Sequence, residues 1–466
     1  MSDDVRAERL KKLQLLRDAG VDPYPAHSGR TVSAADFLKG FESLVSSGKA
    51  ETLAGRVMSI RGQGGIIFAD VFDGTGRVQF VVEKTEVGDK AFELFEAAVD
   101  QGDFIEATGA AYLTKRGQQS LKASAWTMLA KSLAPLPTEW FGLKDPELKL
   151  RERYVDMVLD QGLRDMVVRR ARFWSAIREF LLARGFMEVE TPVLETSPGG
   201  ADARPFETHH NALDIDLSLR ISLELWLKRL LIAGFPKVFE IGRVFRNEGQ
   251  SREHLQDYTM LETYEAFSDI KKGKEFVQAL YRHIAKEVYG TSVFEIHGHK
   301  VDFAAEWPEV DFCEVMKKEY GIDPLALGAA EAREIDEKWK ALRKTIAGPA
   351  FLVGTPAYLT PLAKRRSDNP QLVERIQVLI AGSEVGNGYG ELNDPQDQRK
   401  RFEEQQALRE AGDDEAQRLD EDFVKALEYG MPPAFGFGVS ERLFAFLENR
   451  SVHEAQIFTL LRPKNK

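Results

Sequence analysis

Two apolar segments that flank a short charged stretch constrain the fold of this chain more than any other feature. Residues 237–246 and 258–267 each have the length and composition of a β-strand, and the residues between them are polar and rich in charge. Segments joined this closely predict an antiparallel pair whose loop lies in solvent. The first segment runs into Phe245-Arg246-Asn247-Glu248-Gly249. An arginine there can donate bidentately to a phosphate or a carboxylate, because its guanidinium is planar. The alternative interpretation is an amphipathic hairpin with a solvated turn.

Size and composition narrow the class of protein. The chain has 466 residues, enough for about two or three domains with separate cores. Its net charge of −11 argues against nucleic-acid binding by bulk electrostatics, although a local basic face stays compatible with it. No apolar run approaches the ~20 residues that span a bilayer. The acidic N-terminus lacks a signal-peptide layout, and the single cysteine, Cys313, excludes internal disulfides. These features predict a cytoplasmic protein that does not enter a membrane.

The N-terminal third predicts a small β-barrel. Residues 1–50 form a predicted helical extension, and residues 51–137 contain about five short strands rich in β-branched and aromatic residues. This pattern favours a closed barrel of the OB-fold type. Such barrels stack single-stranded bases on exposed aromatics. The candidate base-contacting residues are Arg61, Phe68 and Gln79. For Phe68 the alternative is a place in the barrel core.

The remaining two thirds do not have the order of a nucleotide-binding α/β domain. Residues 138–153 form a predicted linker, and from residue 154 to residue 466 helices and strands alternate without βαβ order. No Gly-x-Gly-x-x-Gly follows a strand, and no Walker-type Gly-Lys-Thr/Ser occurs, so a Rossmann or P-loop site is unsupported. A helical insertion is predicted near residues 268–350, with its most charged part at 326–347. The predicted fold class is α+β, with the barrel followed by a second domain of helices and strands.

Four segments resemble a known family when they are taken in order. A helix at 167–184 and the strand that follows it to Pro192 resemble motif 1 of the class II aminoacyl-tRNA synthetases. The run Phe245 to Glu262 resembles motif 2, and Gly436 to Leu443 resembles motif 3 shortened by one residue. Phe-Arg-Asn-Glu-Gly and the segment Pro198 to Phe206 are similar to the lysyl branch in particular. The resemblance covers nearly the whole chain and implies a homodimer with a class II catalytic domain, which is an antiparallel sheet flanked by helices. The helix at residues 6–19 is then either solvated or in contact with tRNA.

The resemblance implies a lysine pocket. In it, Glu224 and the Gly200 carbonyl hold the substrate α-ammonium, and Tyr264 and Glu391 hold the ε-ammonium. The other implied lysine-binding residues are Arg246, Glu262, Asn387 and Tyr389. Independently of the family, Glu262 and Tyr264 are two residues apart, so they share one face of a strand. A partly buried ammonium needs such counter-charges and acceptors, which favours lysine over aspartate or asparagine as the substrate.

The resemblance also implies an ATP site. Arg246 bridges the amino-acid carboxylate and the α-phosphate, and Arg442 lies beside the γ-phosphate; these two arginines are the predicted catalytic residues. Glu248 contacts the adenine amino group, Tyr258 stacks on the ring, and His254 lies near the outer phosphates.

The predicted metal site departs from the family pattern. Related enzymes hold Mg²⁺ with glutamates at the positions of Gln377 and Glu384. A neutral amide is a poorer ligand for a hard cation than a carboxylate. Both residues stay candidate metal ligands, with Glu384 favoured, and Glu384 is also a predicted ATP contact. A second departure is Glu253, where relatives usually carry a basic residue.

These observations together predict an enzyme that ligates L-lysine to tRNA(Lys) with ATP and Mg²⁺, through a lysyl-adenylate, releasing AMP and pyrophosphate. One alternative is a paralogue that lysylates a protein, as the truncated relative acting on elongation factor P does; that paralogue lacks the barrel. The other is a non-catalytic tRNA-binding relative, which loss of Arg246, Glu262 or Arg442 would have supported. All three residues are present.

Overall fold

The computed structural model describes residues 3–137, 143–249, 251, 253–328, 331–412 and 416–463. The chain divides into two compact units, Met1–Asp145 and Pro146–Lys466. Residues 138–142 of the predicted linker lie outside the described residues. Among the helices of the described ranges, none combines the length and the apolar character that crossing a membrane requires.

Within its described residues, the first unit contains five helices and five strands. The helices are α1 (Asp3–Asp18), α2 (Ala34–Lys39), α3 (Phe41–Ser47), α4 (Lys84–Val87) and α5 (Asp89–Ala98). The strands are β1 (Ala50–Gln63), β2 (Ile66–Phe72), β3 (Arg77–Glu83), β4 (Phe104–Leu113) and β5 (Gln119–Ala130).

The five strands close into a barrel in the order β1-β2-β3-β5-β4, which confirms the predicted N-terminal barrel. Strand β2 shows why the sequence folds this way, since Ile67, Ala69 and Val71 alternate into the core. The turn between β2 and β3 is closed by the Asp73 carboxylate, whose Oδ1 accepts the backbone N–H of Thr75 at 2.8 Å. Local side-chain bonding of this kind is typical of tight turns.

The second unit contains ten helices within the described ranges. They are α6 (Pro146–Arg151), α7 (Arg153–Leu159), α8 (Gln161–Leu182), α9 (Glu224–Ile232), α10 (Ile270–Ile284), α11 (Phe312–Tyr320), α12 (Ala332–Arg343), α13 (Pro395–Glu410), α14 (Glu421–Glu428) and α15 (Arg442–Leu447). Its strands are β6 (Met187–Glu188), β7 (Leu194–Glu195), β8 (Glu207–His210), β9 (Ile215–Leu219), β10 (Lys237–Phe245), β11 (Asp257–Ala266), β12 (Val293–Ile296), β13 (His299–Asp302), β14 (Glu309–Asp311), β15 (Ala350–Val353), β16 (Arg375–Ile380), β17 (Ser383–Gly390) and β18 (Ala434–Ser440).

Eight of these strands form one sheet in the order β14-β15-β16-β17-β18-β11-β10-β6. The five central pairings are antiparallel, and only the outer pairs β14–β15 and β6–β10 are parallel. The predicted α+β class, a barrel followed by an antiparallel sheet flanked by helices, is therefore confirmed. The hairpin β10–β11 lies within one residue of its predicted bounds, with Phe245 opposite Asp257 and Lys237 opposite Glu265.

The two faces of the sheet have different roles. Leu261, Phe437 and Val439 belong to the large core that includes residues of α8 and α10. Because neighbouring side chains of a strand point to opposite faces, Glu262, Gly436 and Gly438 lie on the other face. There the apolar side of α9 packs against β10 and β11. The segment 268–350 contains α10, α11 and α12 together with the strands β12 to β14.

Candidate active site

The register of three neighbouring strands forms the floor of a cavity. Strand β18 lies between β11 and β17, and residues directly opposite one another form rows across all three strands. Two such rows run Glu262–Gly438–Asn387 and Tyr264–Gly436–Tyr389. Polar and aromatic side chains therefore stand on both sides of β18, whose residues in these two rows, Gly436 and Gly438, carry no side chain.

The glycine at position 436 is required by this packing. A Cβ atom at Gly436 would lie 2.1 Å from Oε1 of Glu391 and 2.4 Å from Cε1 of Tyr264. Both distances are far below van der Waals contact, so any side chain here would fill the cavity. Gly200, across the cavity, has a φ of +86°, and a Cβ there would lie 2.9 Å from Cβ of Ser222.

All eight predicted lysine-binding residues line this cavity of about 250 Å³. They come from the loop before β8, from α9, from the residue after β10, and from β11 and the end of β17: Gly200, Glu224, Arg246, Glu262, Tyr264, Asn387, Tyr389 and Glu391. Asp202 lines it too. The cavity is thus narrow, largely polar and rich in carboxylates, which suits a small cationic ligand better than an apolar one.

Three carboxylates of this cavity, Glu224, Glu262 and Glu391, are called the pocket carboxylates below. Oε1 of Glu262 accepts the Ser222 hydroxyl at 2.6 Å and the backbone N–H of Leu223 at 3.0 Å. The Tyr264 hydroxyl donates to Oε2 of Glu262 at 2.9 Å. Burial raises the pKa of each pocket carboxylate to about 7. Desolvation disfavours the charged form, so a cation in the cavity would stabilise all three.

A lysine of the chain itself contacts two of these carboxylates. Nζ of Lys228, on α9, lies 2.5 Å from Oε1 of Glu224 and 2.5 Å from Oε2 of Glu391. The Lys228 side chain has no solvent exposure. Lys228 was not among the residues predicted to belong to the site. The one available signal was its spacing of four residues from Glu224, which puts both on one helix face.

Oε1 of Glu391 is placed differently from its Oε2. It lies beside Gly436 at the cavity, and the Gly436 backbone N–H contributes a hydrogen bond to this carboxylate. A carboxylate has about four lone-pair sites, so it can accept from a further donor besides the Gly436 N–H and Lys228. An ammonium group inside the cavity would be such a donor.

A second cavity, of about 300 Å³, adjoins the first. Every predicted ATP-binding residue lines it: Arg246, Glu248, His254, Tyr258, Glu384 and Arg442. Arg246, Met260, Asn387 and Gly438 line both cavities. Nε of Arg246 donates to the Ile221 carbonyl at 3.2 Å, and its guanidinium carbon lies 5.6 Å from the centre of the Tyr258 ring. Arg246 is therefore held at the junction, where it can contact ligands on both sides.

At the far end of the second cavity, Arg442 contacts Glu253. The guanidinium forms an ion pair with the Glu253 carboxylate, and its Nη2 also donates to the Ser383 hydroxyl at 2.8 Å. The same hydroxyl donates to Glu253 at 3.0 Å. An anionic ligand that binds Arg442 would compete with Glu253. Nearby, Nδ1 of His254 lies 2.7 Å from the Ser251 hydroxyl, and burial lowers the pKa of this imidazole.

The two predicted metal ligands face one another. Nε2 of Gln377 donates to Oε2 of Glu384 at 2.7 Å. Oε1 of Glu384 accepts the Trp339 indole N–H at 2.6 Å and lies 2.9 Å from the Arg343 guanidinium. Burial would raise the pKa of Glu384, but Arg343 and the indole hold it below its usual value. No group of three or more His, Cys, Asp or Glu side chains with metal-site geometry occurs in the described part of the chain. Glu384 fits as one carboxylate toward a Mg²⁺ held chiefly by phosphates, whereas Gln377 presents a donor and does not fit as placed.

The three candidate base-contacting residues lie on neighbouring strands of the barrel. Arg61 of β1 pairs directly with Phe68 of β2, and Phe68 lies on the outward, half-buried face rather than in the core. Gln79 on β3 is buried, and its Oε1 accepts the Ser120 hydroxyl at 3.2 Å. Phe68 and Arg61 can therefore reach a ligand, while the Gln79 amide is already engaged.

Sequence comparisons agree with this arrangement. The family model described as tRNA synthetases class II (D, K and N) matches residues 145–462, and the OB-fold nucleic acid binding domain matches residues 51–129. A lysine–tRNA ligase from Moorella thermoacetica is 42% identical over 486 aligned positions, covering 100% of this chain and 99% of the relative. Lysine–tRNA ligases from Roseiflexus sp. and Halalkalibacterium halodurans are each 41% identical, covering 99% of this chain and 99% and 98% of the relatives.

Proposed function

We propose how this enzyme uses its two cavities to ligate L-lysine to tRNA(Lys), because the chain belongs to the class II aminoacyl-tRNA synthetases of the aspartate, lysine and asparagine group, and to their lysine–tRNA ligase branch. The carboxylate-rich cavity holds lysine and the adjoining one holds ATP. The observation that carries this assignment is the position of Arg246, which lines both cavities.

In the first step, a carboxylate oxygen of lysine attacks the α-phosphorus of ATP. A bond forms between them, the bond from the α-phosphorus to the bridging oxygen breaks, and pyrophosphate leaves with that oxygen. Arg246 lies where it can neutralise both the lysine carboxylate and the α-phosphate, so it orients the attack and stabilises the developing charge. Tyr258 and Glu248 hold the adenine, and Arg442 and His254 hold the outer phosphates.

Lysine is selected by the pocket carboxylates. Glu224 and the Gly200 carbonyl take the α-ammonium, and Glu391 and Tyr264 take the ε-ammonium. The position of Oε1 of Glu391 beside Gly436 at the cavity supports this division. Aspartate would bring a carboxylate among carboxylates, and like charges in a buried site repel strongly. Asparagine would leave buried acceptors without a cationic partner.

In the second step, the 3′-terminal ribose hydroxyl of tRNA attacks the carbonyl carbon of lysyl-adenylate and AMP leaves. No covalent enzyme intermediate is required. Mg²⁺ bound with ATP supplies further neutralisation of phosphate charge, and Glu384 is the residue that would hold it. We assign anticodon contact to Phe68 and Arg61 on the barrel, whose presence argues against a paralogue that lysylates only a protein.

We also propose that the enzyme is a cytoplasmic homodimer. Support for the dimer comes from apolar side chains exposed on and after the motif 1 strand, namely Met187, Val193 and Leu194, and on the neighbouring residues Leu213 and Ile215. Exposed apolar side chains of this size mark surfaces that a partner can cover, which supports an interface between subunits. Light scattering on the purified enzyme tests the dimer, and a monomer at micromolar concentration would contradict it.

The function is tested by amino-acid-dependent ATP–pyrophosphate exchange with each standard amino acid, followed by aminoacylation of tRNA(Lys). We expect exchange with lysine far above that with any other amino acid, and transfer to tRNA. Preference for aspartate or asparagine would overturn the assignment of the pocket. Exchange without transfer to tRNA would favour the protein-lysylating alternative.

A further inference from the structure

Lys228 has no role in the two-step chemistry, yet it lies directly behind the lysine cavity. Its Nζ is 2.5 Å from one oxygen of Glu224 and 2.5 Å from one oxygen of Glu391, and its side chain is completely buried. Glu224 is one helical turn away on α9, whereas Glu391 follows β17. The two oxygens that Lys228 contacts therefore lie no more than 5.0 Å apart.

We propose that Lys228 is a positioning residue for substrate recognition: it holds the carboxylates of Glu224 and Glu391 in place and keeps them charged until the ammonium groups of lysine arrive. The inference rests on the proposed lysine cavity. Lys228 itself is absent from the cavity lining, so it acts through the two carboxylates rather than on the substrate.

The need for such a residue follows from the charges around it. The charged and titratable groups that face Glu224 and Glu391 are Glu262 and Tyr264 on β11, Tyr389 on β17, Asp202 in the loop before β8, and Arg246 at the junction. Three buried carboxylates this close cannot all stay ionised without a cation. Without that cation, one of the carboxylates would bind a proton. A protonated carboxyl group binds an ammonium less well than a carboxylate does.

The positive charge of Lys228 is secure in this position. Burial alone would lower the pKa of its ammonium group, but attraction by Glu224 and Glu391 raises it above its ordinary value. Even with this cation, burial keeps the pKa of both carboxylates near 7. Loss of the cation would therefore raise both pKa values further, so that the two carboxyl groups would be protonated at neutral pH in the free enzyme.

The alternative is that Lys228 only stabilises the fold as a buried ion pair. A second buried lysine, in the barrel, provides a control that distinguishes the two roles. Lys131 is also fully buried and contacts two carboxylates, Asp100 at 2.6 Å and Asp103 at 2.8 Å, with no part in either cavity. Lys131→Met therefore removes the same kind of ion pair without touching the substrate.

The experiment measures lysine binding to the parent, Lys228→Met and Lys131→Met by titration calorimetry. Each titration is run between about pH 6 and pH 9 in two buffers of different ionisation enthalpy, which gives the protons released per lysine bound. For Lys228→Met we expect the pH midpoint of lysine affinity to rise by about 1–3 units, because a charge partner at this distance shifts a pKa that much. At pH values below the midpoint, each pH unit of this rise weakens lysine binding about tenfold. More protons should also be released at neutral pH, whereas Lys131→Met should match the parent.

Three other results have distinct meanings. An unchanged midpoint and proton count in Lys228→Met would overturn the inference and leave the proposed function intact. A parent that does not bind lysine would instead refute the proposed function. If Lys228→Met does not fold, the proton release of the parent enzyme tests the inference instead. Near pH 8, carboxylates that are already ionised predict that the parent releases less than about one proton per lysine bound. Release of about two or more protons would overturn the inference.

Discussion

Replacing Glu391 by glutamine keeps the shape of the side chain and removes its charge at the centre of the lysine pocket. The parent carboxylate is completely buried, with one oxygen on Lys228 and the other beside Gly436 at the cavity. In Glu391→Gln the substrate ε-ammonium would lose its buried anionic partner, and Lys228 would keep only Glu224. Removing one partner from a buried charge pair costs about 3–5 kcal/mol. We therefore expect lysine binding to weaken roughly 10²–10³-fold.

The assay is the KM for lysine in ATP–pyrophosphate exchange, with the KM for ATP measured on the same samples. The KM for lysine should rise steeply while the KM for ATP changes little, because Glu391 does not line the ATP cavity. Asp103→Asn in the barrel is the matched control. It removes a buried carboxylate from an ion pair with Lys131, so it should lower stability without changing either KM. A lysine KM within about threefold of the parent would refute the assignment of Glu391 to the ε-ammonium.

Four further predictions test other parts of the site. Phe68→Ala should impair aminoacylation while leaving lysine activation intact, since base stacking contributes ~1–3 kcal/mol per base; equal loss of both steps would place Phe68 in a structural role. Because the pKa of each pocket carboxylate is raised to about 7, lysine affinity should fall as pH falls through that range. The ligand-free enzyme should lose stability as pH rises through it, so lysine should raise the Tm more near pH 8 than near pH 6, and an equal rise at both would contradict the assignment. Gln377→Glu should lower the Mg²⁺ concentration for half-maximal exchange, and a titration that matches the parent would show that this position does not face the metal. Glu253→Gln should lower the KM for ATP, because phosphate no longer competes with a carboxylate for Arg442; an unchanged or higher KM would show that this contact does not oppose ATP.

Local patterns in the sequence predicted the parts of the structure that depend on strand periodicity. The hairpin β10–β11 was predicted within one residue at each end, and Glu262 and Tyr264 share a strand face because they are two residues apart. The barrel followed in the same way from its short strands rich in β-branched and aromatic residues. The residues of the two cavities came from the family resemblance, which supplied contacts between elements far apart in the chain.

Periodicity alone could not predict contacts that only the fold creates. Lys228 has the spacing of a salt-bridged residue on a helix surface, and its burial depends on Glu391, which is distant in the sequence. The engagement of Glu384 by Arg343 has the same origin, since the arginine comes from α12, outside both strands of the metal site. The outward position of Phe68 was left open, because a half-buried strand residue fits either face until the barrel closes.

The two glycines of the middle strand β18 determine how the specificity of the lysine pocket could be redesigned. Gly436 and Gly438 already give all the depth that β18 can provide, so no substitution there can enlarge the pocket. Room for a bulkier lysine, such as one acylated on its ε-nitrogen, must come from the strands on either side, by shortening Tyr264 or Tyr389. An acylated nitrogen is neutral, so the same redesign would also have to remove the charge of Glu391. Size and charge are therefore controlled by different residues of the pocket, and an engineered enzyme would have to change both together.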